Sequence, residues 1–290
     1  ILRNKTKANK YLDDGNKVPN WLLNRWKKNW KKNYNNIIRG HLVLNPPIDI
    51  HVKSNTDQWA KKLSGEKIGN NSIRLYRSGL ISKLDGYEEG EWWVQDYSSQ
   101  IPVALLNIKD EDEVLDLCAA PGGKTAQLIS LGAKVTSVDN NKKRFLRLEQ
   151  NLKRLNYNAS IKNEDIKNFS SDKSWSKIIL DAPCSSTGTL RKNPEIMYQK
   201  KEEDIFSLAK LQSDLLDASW RLLKKDGVLV YCTCSLEKEE GEYQIENFIK
   251  RKKDSILDKI NTKEIDKKLK VSNKNKWLRI FPNSFDFEGG

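Results

Sequence analysis

From about residue 101, short apolar runs alternate with amphipathic helical stretches, and this constrains the fold more than any other feature of the chain. Val114–Leu117 is an apolar run that enters a Gly-containing turn, and Lys124–Leu131 reads as a helix. Lys134–Asp139 reads as a strand ending in an acid, and Lys142–Leu155 as a second helix. Ile161–Asp165, Lys177–Asp181 and Gly227–Cys232 are predicted as further strands, with Asp204–Leu223 a long amphipathic helix. Parallel strands need a crossover between them, so the alternation implies βαβ units. The expected fold is α/β: a doubly wound, mostly parallel sheet whose ligands bind beyond the carboxyl ends of its strands.

The texture before residue 101 is different. Val18-Pro19-Asn20 precedes Trp21–Trp30, where Leu22, Leu23, Trp26 and Trp30 recur at helical spacing with basic residues between them. This predicts a basic amphipathic helix whose Trp stripe faces a core. Residues 41–100 carry strand-like pieces, Leu42–Leu44 and Ile73–Tyr76, broken by Asn, Pro and Gly and ended by Gly90–Asp96. The expected organisation is a linker or remnant at 1–17, a small α+β subdomain at 18–100 and a larger α/β domain at 101–290.

Charge follows the same division. The chain carries a formal charge of +13, yet residues 101–250 hold equal numbers of acids and bases. Residues 1–40 contain eleven Lys and Arg against two acids, and residues 251–276 ten against four. A basic surface set apart from a neutral middle suits a polyanionic partner; a solvated lysine-rich face is the other reading, and the one favoured for 251–276. No run of about 18 apolar residues occurs, which excludes a transmembrane helix, and no secretory leader opens the sequence. Four cysteines in 290 residues make no disulfide scaffold. A reduced, cytoplasmic protein is the expectation, and a monomer.

The segment Asp116–Thr125 lies between the first strand and helix of the α/β part. Small residues there let backbone approach a ligand, and the helix start offers unpaired N–H groups. The spacing matches neither G-x-x-x-x-G-K-[ST] nor G-x-G-x-x-G. Asp139, at the next strand end, stands where an acid would hold ribose hydroxyls, although a tight structural turn explains the glycines equally well. Asp165 and Asp181 are expected to end further strands, gathering acids along one crevice. Acids suit a sulfonium and its amino group rather than a pyrophosphate, which favours S-adenosyl-L-methionine over a dinucleotide.

Cysteine placement narrows the chemistry. Cys184 follows one strand in Asp181–Gly188, and Cys232 and Cys234 follow another, so two thiols are expected over one crevice, where a thiolate could serve as nucleophile. Cys118 and Cys232 read as small packing residues. No metal is expected, because Cys232-x-Cys234 has the wrong spacing and His41 and His51 are remote in sequence.

Asp116–Thr125 (DLCAAPGGKT), Asp181–Glu195 (DAPCSSTGTLRKNPE) and Thr233–Leu236 (TCSL), in this order and preceded by residues 93–100 (WVQDYSSQ), resemble the Sun-type RNA cytosine-5 methyltransferases. The resemblance runs from about Val18 to Gly290. It implies a class I methyltransferase, Rossmann-like fold, S-adenosyl-L-methionine as donor, and C5 of a cytosine in RNA, ribosomal RNA above all, as acceptor. By motif position Cys234 is the expected nucleophile, Cys184 assists release and Asp181 polarises or protonates the base near N3. Cys118, Ala119, Ala120, Pro121, Gly122, Gly123, Lys124, Asp139, Arg144, Asp165 and Asp181 are the expected cofactor residues. Arg191, Lys192 and Asn193 are candidates for the RNA backbone. Bacterial members of the family carry a preceding helical domain similar to the antitermination factor NusB, of which 1–17 would be at most a remnant. Residues 281–290 resemble the approach to a last strand. Transfer RNA as substrate, or a catalytically idle RNA-binding assembly factor, are the competing readings, and Cys184 after Pro183 leaves a DNA enzyme to be tested.

Overall fold

A computed structural model describes residues 18–43, 45–76, 79–260 and 276–282. The predicted remnant at 1–17, most of the basic stretch 251–276 and the approach to a last strand at 283–290 lie outside the described residues. Helix α1 (Asn20–Trp30) leads through a 3-10 turn into α2 (Tyr34–His41). Four short strands follow: β1 (Ile48–Val52), β2 (Glu66–Gly69), β3 (Ser72–Leu75) and β4 (Trp92–Val94), with α3 (Thr56–Lys62) between the first two. They form an antiparallel sheet of order β2-β3-β1-β4.

Two strand expectations change here. Leu42 and Val43 are not strand; Leu42 caps α2 by donating its N–H to the Ile38 and Arg39 carbonyls. The strand is instead β1, which sequence reasoning missed because two of its buried positions are polar. Asp49 is paired with Arg74 at 2.8 Å, and His51 lies 2.9 Å from Gln100 Oε1. Those partners make burial tolerable.

The second sheet is built from α4 (Tyr97–Ala104), β5 (Glu113–Leu117), α5 (Gly123–Ser130), β6 (Lys134–Val138), α6 (Lys142–Arg154), β7 (Ser160–Lys162), β8 (Trp175–Asp181), α7 (Ile196–Gln199), α8 (Glu202–Leu222), β9 (Leu223–Cys232) and α9 (Glu242–Arg251). All five strands pair in parallel in the order β7-β6-β5-β8-β9. Alternate residues feed two cores. Leu115, Leu117, Ile178 and Leu180 pack with α8 and α9, whereas Val114, Val135 and Ile179 pack with Val103 and Leu128 on the other face. That two-sided burial is what apolar runs without polar alternation encode.

The strand expected at Ile161–Asp165 is shorter, ending at Lys162. Asp165 lies beyond it, where its carboxylate accepts the Lys167 N–H at 2.9 Å and its carbonyl accepts from Asn168 and Phe169. An Asp that caps a turn in this way competes with strand continuation. The β9 strand also begins earlier than expected, directly from α8 at Leu223.

The two sheets are packed together along α4 and α6. Gly90 sits at φ +69°, and a Cβ there would lie 2.1 Å from the Arg154 carbonyl oxygen at the end of α6. Gly90→Ala should therefore destabilise the fold by about 2 kcal/mol or more, read as a lowered urea midpoint, because neither the backbone angle nor the contact accommodates a methyl.

Candidate active site

Strands β8 and β9 run side by side with Asp181 opposite Cys232, so the segments that follow them leave the sheet from one edge. Pairing continues past the strands: Ala182 N–H donates to the Cys232 carbonyl at 3.0 Å and Gly188 N–H to the Cys234 carbonyl at 2.9 Å. A Cβ on Gly188 would stand 2.7 Å from that Cys234 oxygen, so only glycine permits the approach. The result is a Cys184 Sγ to Cys234 Sγ distance of 3.3 Å, with Ser186 Oγ 3.3 Å from Cys234 and 3.8 Å from Cys184. The two thiols are thus in contact.

Their protons are held unequally. Cys234 lies below the ordinary thiol value, first because Cys184 hydrogen-bonds to it and then, against the opposing effect of burial, because Ser186 does too. The same contact, added to burial, drives Cys184 well up. Cys234 is also exposed while Cys184 is half-buried. Of the pair, Cys234 is the more exposed thiol and the one that gives up its proton more readily.

A buried carboxylate that sequence reasoning missed ties both segments together. Glu240, fully buried, accepts the Ser185 N–H at 2.8 Å, the Ser185 hydroxyl, the Ser235 hydroxyl at 2.5 Å and Gln212 Nε2 at 3.0 Å. Gln212 reaches on to the Pro183 carbonyl at 2.9 Å. Ser185 and Ser235 each follow one of the two thiols, so Glu240 pins both. In the run Glu237–Glu240 nothing marks one acid as buried, since acidic runs read as solvated.

The expected cofactor residues cluster less evenly. Lys124 at the start of α5 pairs with Asp181 at 2.7 Å; burial works against its charge, but Asp181 outweighs burial and keeps the ammonium protonated. Asp139 accepts Ala120 N–H at 3.1 Å and Asn141 N–H at 2.8 Å, which fixes the β5 turn against β6. Arg144 donates to the Ala120 carbonyl, and Asn151 to the Pro121 carbonyl at 2.8 Å. Burial pushes the Asp116 carboxyl up to about 7 despite its bond to Thr125 at 2.6 Å, and its Oδ1 has no hydrogen-bond partner among the described residues. Asp181 and Asp139 add to the rise at Asp116, and all three acids add to that at Cys118, whose thiol burial pushes up. Asp165 is instead engaged in its own turn.

The turn glycines also answer to packing. Gly122 adopts φ +100°, and a Cβ would lie 2.5 Å from Leu148 Cδ1 of α6, so packing of that helix requires it. Near Gly123 a Cβ would meet only Gln95, at 3.7 Å. Cys118 is left-handed at φ +58° and packs against the α8 core. Cys232 donates to Leu180 O at 3.7 Å and lies 3.5 Å from Asp181 Oδ1, with burial pushing its thiol well up, as a packing residue should. The RNA-backbone candidates Arg191 and Lys192 both pair with Asp96, at 3.2 and 2.6 Å. Burial opposes the Asp96 charge, but these two cations hold its carboxyl far below the usual range.

Alkylation of Cys234 by iodoacetamide, followed by peptide mass mapping, should reach half its plateau rate below the ordinary thiol midpoint of about 8.5. Cys184→Ala removes the largest cause of that lowering, so the midpoint should rise.

Comparison with known proteins agrees with this architecture. A family model described as 16S rRNA methyltransferase RsmB/F matches residues 103–289. Ribosomal RNA small subunit methyltransferase B of Erwinia tasmaniensis is 37% identical over 264 residues, covering 85% of this chain and 61% of that protein. The chain thus spans 59 to 61% of the length of the curated relatives it matches. The solved structure of PH0851 superposes with a TM-score of 0.84 at 26% identity, over 97% of this chain and 66% of that one. NSun6 from Pyrococcus horikoshii shares the fold at a TM-score of 0.79 and 20% identity, over 92% and 94% of the two chains. With a Rossmann-like parallel sheet, two thiols over its carboxyl edge and a family match over most of its length, the chain belongs to the 16S rRNA methyltransferase RsmB/F family.

Proposed function

We propose that the chain transfers a methyl group from S-adenosyl-L-methionine to C5 of a cytosine in RNA, with cytoplasmic small-subunit ribosomal RNA as its substrate. The observation that carries this reading is the thiol pair: an exposed Cys234 with a lowered thiol value, 3.3 Å from a half-buried Cys184 that keeps its proton. C5 of cytosine is too weak a nucleophile to take a methyl unaided. Addition of the Cys234 thiolate to C6 forms an S–C bond and converts the ring to an enamine whose C5 can attack an electrophilic methyl. The C5 proton must then be removed and the S–C bond broken, returning the electron pair to sulfur; Cys184 is placed to manage that release. Asp181, held by Lys124, is the group that would polarise or protonate the base near N3. The base must be unstacked to reach these groups.

The crevice suits a cationic donor. Asp116, Asp139 and Asp181 gather where Lys124 is the paired ammonium, and the unpartnered buried Oδ1 of Asp116 leaves acceptor capacity in the cradle. When bound, the donor supplies a methyl on positively charged sulfur. Cys118–Lys124, Asp139, Arg144, Asp165 and Asp181 would hold it. Exposed Lys27, Lys28, Lys31 and Lys32 on and after α1 offer the basic face to the RNA backbone.

The test uses labelled S-adenosyl-L-methionine with ribosomal RNA, transfer RNA or duplex DNA. Cys234→Ala should abolish transfer, and Cys184→Ala should accumulate a covalent protein–RNA adduct visible on a denaturing gel. Adduct that survives Cys234→Ala and disappears with Cys184→Ala would reverse the two roles; transfer RNA as the better substrate would move the chain to that class; and no transfer to any of them would favour an idle assembly factor. Replacing Lys27, Lys28, Lys31 and Lys32 by Gln should weaken RNA binding and flatten its dependence on salt by up to about 0.7 log units per lost phosphate contact, with cofactor binding intact.

A further inference from the structure

We infer that Glu237 is a positioning residue for Cys234, through which helix α1 sets the spacing of the two thiols. The inference rests on the reaction proposed above and deepens it by assigning a residue outside the crevice. Glu237 lies three residues after Cys234, and its carboxylate is fully buried. Oε2 accepts Arg25 Nε at 2.7 Å, and Oε1 accepts Trp26 Nε1 at 2.9 Å and Thr187 Oγ1 at 3.3 Å. Thr187 lies three residues after Cys184 and accepts the Leu236 N–H at 3.0 Å. One carboxylate therefore touches α1, the segment after Cys184 and the segment after Cys234. Trp30, also on α1, adds a bond from its indole N–H to the Leu236 carbonyl at 3.0 Å.

The cluster is stiff because Arg25 is itself fixed. Its guanidinium meets Glu202 at 2.9 Å and Glu239 at 2.7 Å besides Glu237. A buried carboxylate cannot part from its cation cheaply, so the Cys234 segment must follow α1 as a unit. The outer face of that helix carries Lys27 and Lys28, exposed to solvent, with Lys31 and Lys32 just beyond it. The element offered to the RNA backbone is thus the one that holds the nucleophile segment. Hydrogen bonding between the sulfurs at 3.3 Å depends on distance and direction, and a displacement of about 1 Å is enough to weaken both it and the attack geometry.

The experiment compares the unaltered chain with Arg25→Met and Glu237→Ala. The first readout is the pH profile of Cys234 alkylation by iodoacetamide; the second is kcat and KM with transcribed small-subunit ribosomal RNA. Both variants should raise the alkylation midpoint toward the ordinary thiol value and lower kcat at least about tenfold, with KM for RNA within about twofold. An unchanged midpoint in Arg25→Met, or a loss confined to KM, would overturn the assignment. Should Glu237→Ala fail to fold, Arg25→Met decides alone, since it leaves the buried carboxyl free to take a proton. The alkylation profile needs no RNA, so it still decides on Glu237 if the unaltered chain transfers no methyl to any RNA and the reaction itself is wrong.

Discussion

Parallel pairing of β8 with β9 is the interaction on which the site depends. β8 lies inside the sheet and β9 at its end among the described residues, both contribute side chains to two packed faces, and their register puts Asp181 beside Cys232. Each strand then releases its chain at the same sheet edge and in the same direction. The segments carrying Cys184 and Cys234 are therefore neighbours before any side chain is considered. What remains is to set the last few ångströms, and buried polar groups do this. Glu240 takes four donors from the two segments and α8, and Gly188 leaves room for the Cys234 carbonyl. Removing one donor from such a network leaves a buried acceptor short, which makes the arrangement unique as well as stable.

The division of labour between the thiols follows from their surroundings. Two identical groups in contact cannot both be ionised, so any asymmetry decides which one is. Here the hydrogen bond from Cys184 and then the Ser186 hydroxyl favour charge on Cys234 against the effect of burial, while the same contact, burial and, less strongly, Glu240 disfavour charge on Cys184. An acid buried for structural reasons thus also contributes to the inequality between the two thiols. The same economy appears at Lys124, whose ammonium compensates the Asp181 carboxylate at the end of β8.

Much of the larger sheet was readable from the chain because its signals are local. Apolar runs at Val114–Leu117 and Lys177–Asp181, with amphipathic helices between them, require two covered faces. Both thiols and Asp181 follow from their place after such runs. Three kinds of feature were not readable. β1 hides because Asp49 and His51 look solvent-facing until Arg74 and Gln100 are placed beside them. The packing need at Gly122 hides as well, because the side chain a Cβ there would meet belongs to Leu148, some two dozen residues on. Glu237 and Glu240 sit in an acidic run whose burial is imposed by Arg25, Gln212 and two serines distant in sequence. Each miss is a polar or glycine position whose meaning lies in a partner that no local pattern reveals.

Asp96 has a consequence for how such proteins diversify. It caps α4 by accepting the Ser98 N–H at 3.0 Å, and it grips Arg191 and Lys192 from the segment that carries Cys184. α1 grips the other segment through Arg25, Trp26 and Trp30. The amino-terminal layer is therefore built into the two cysteine-bearing segments at two independent points. A replacement for that layer would have to bring its own matching pair of grips, so the two parts of this fold cannot change independently of each other.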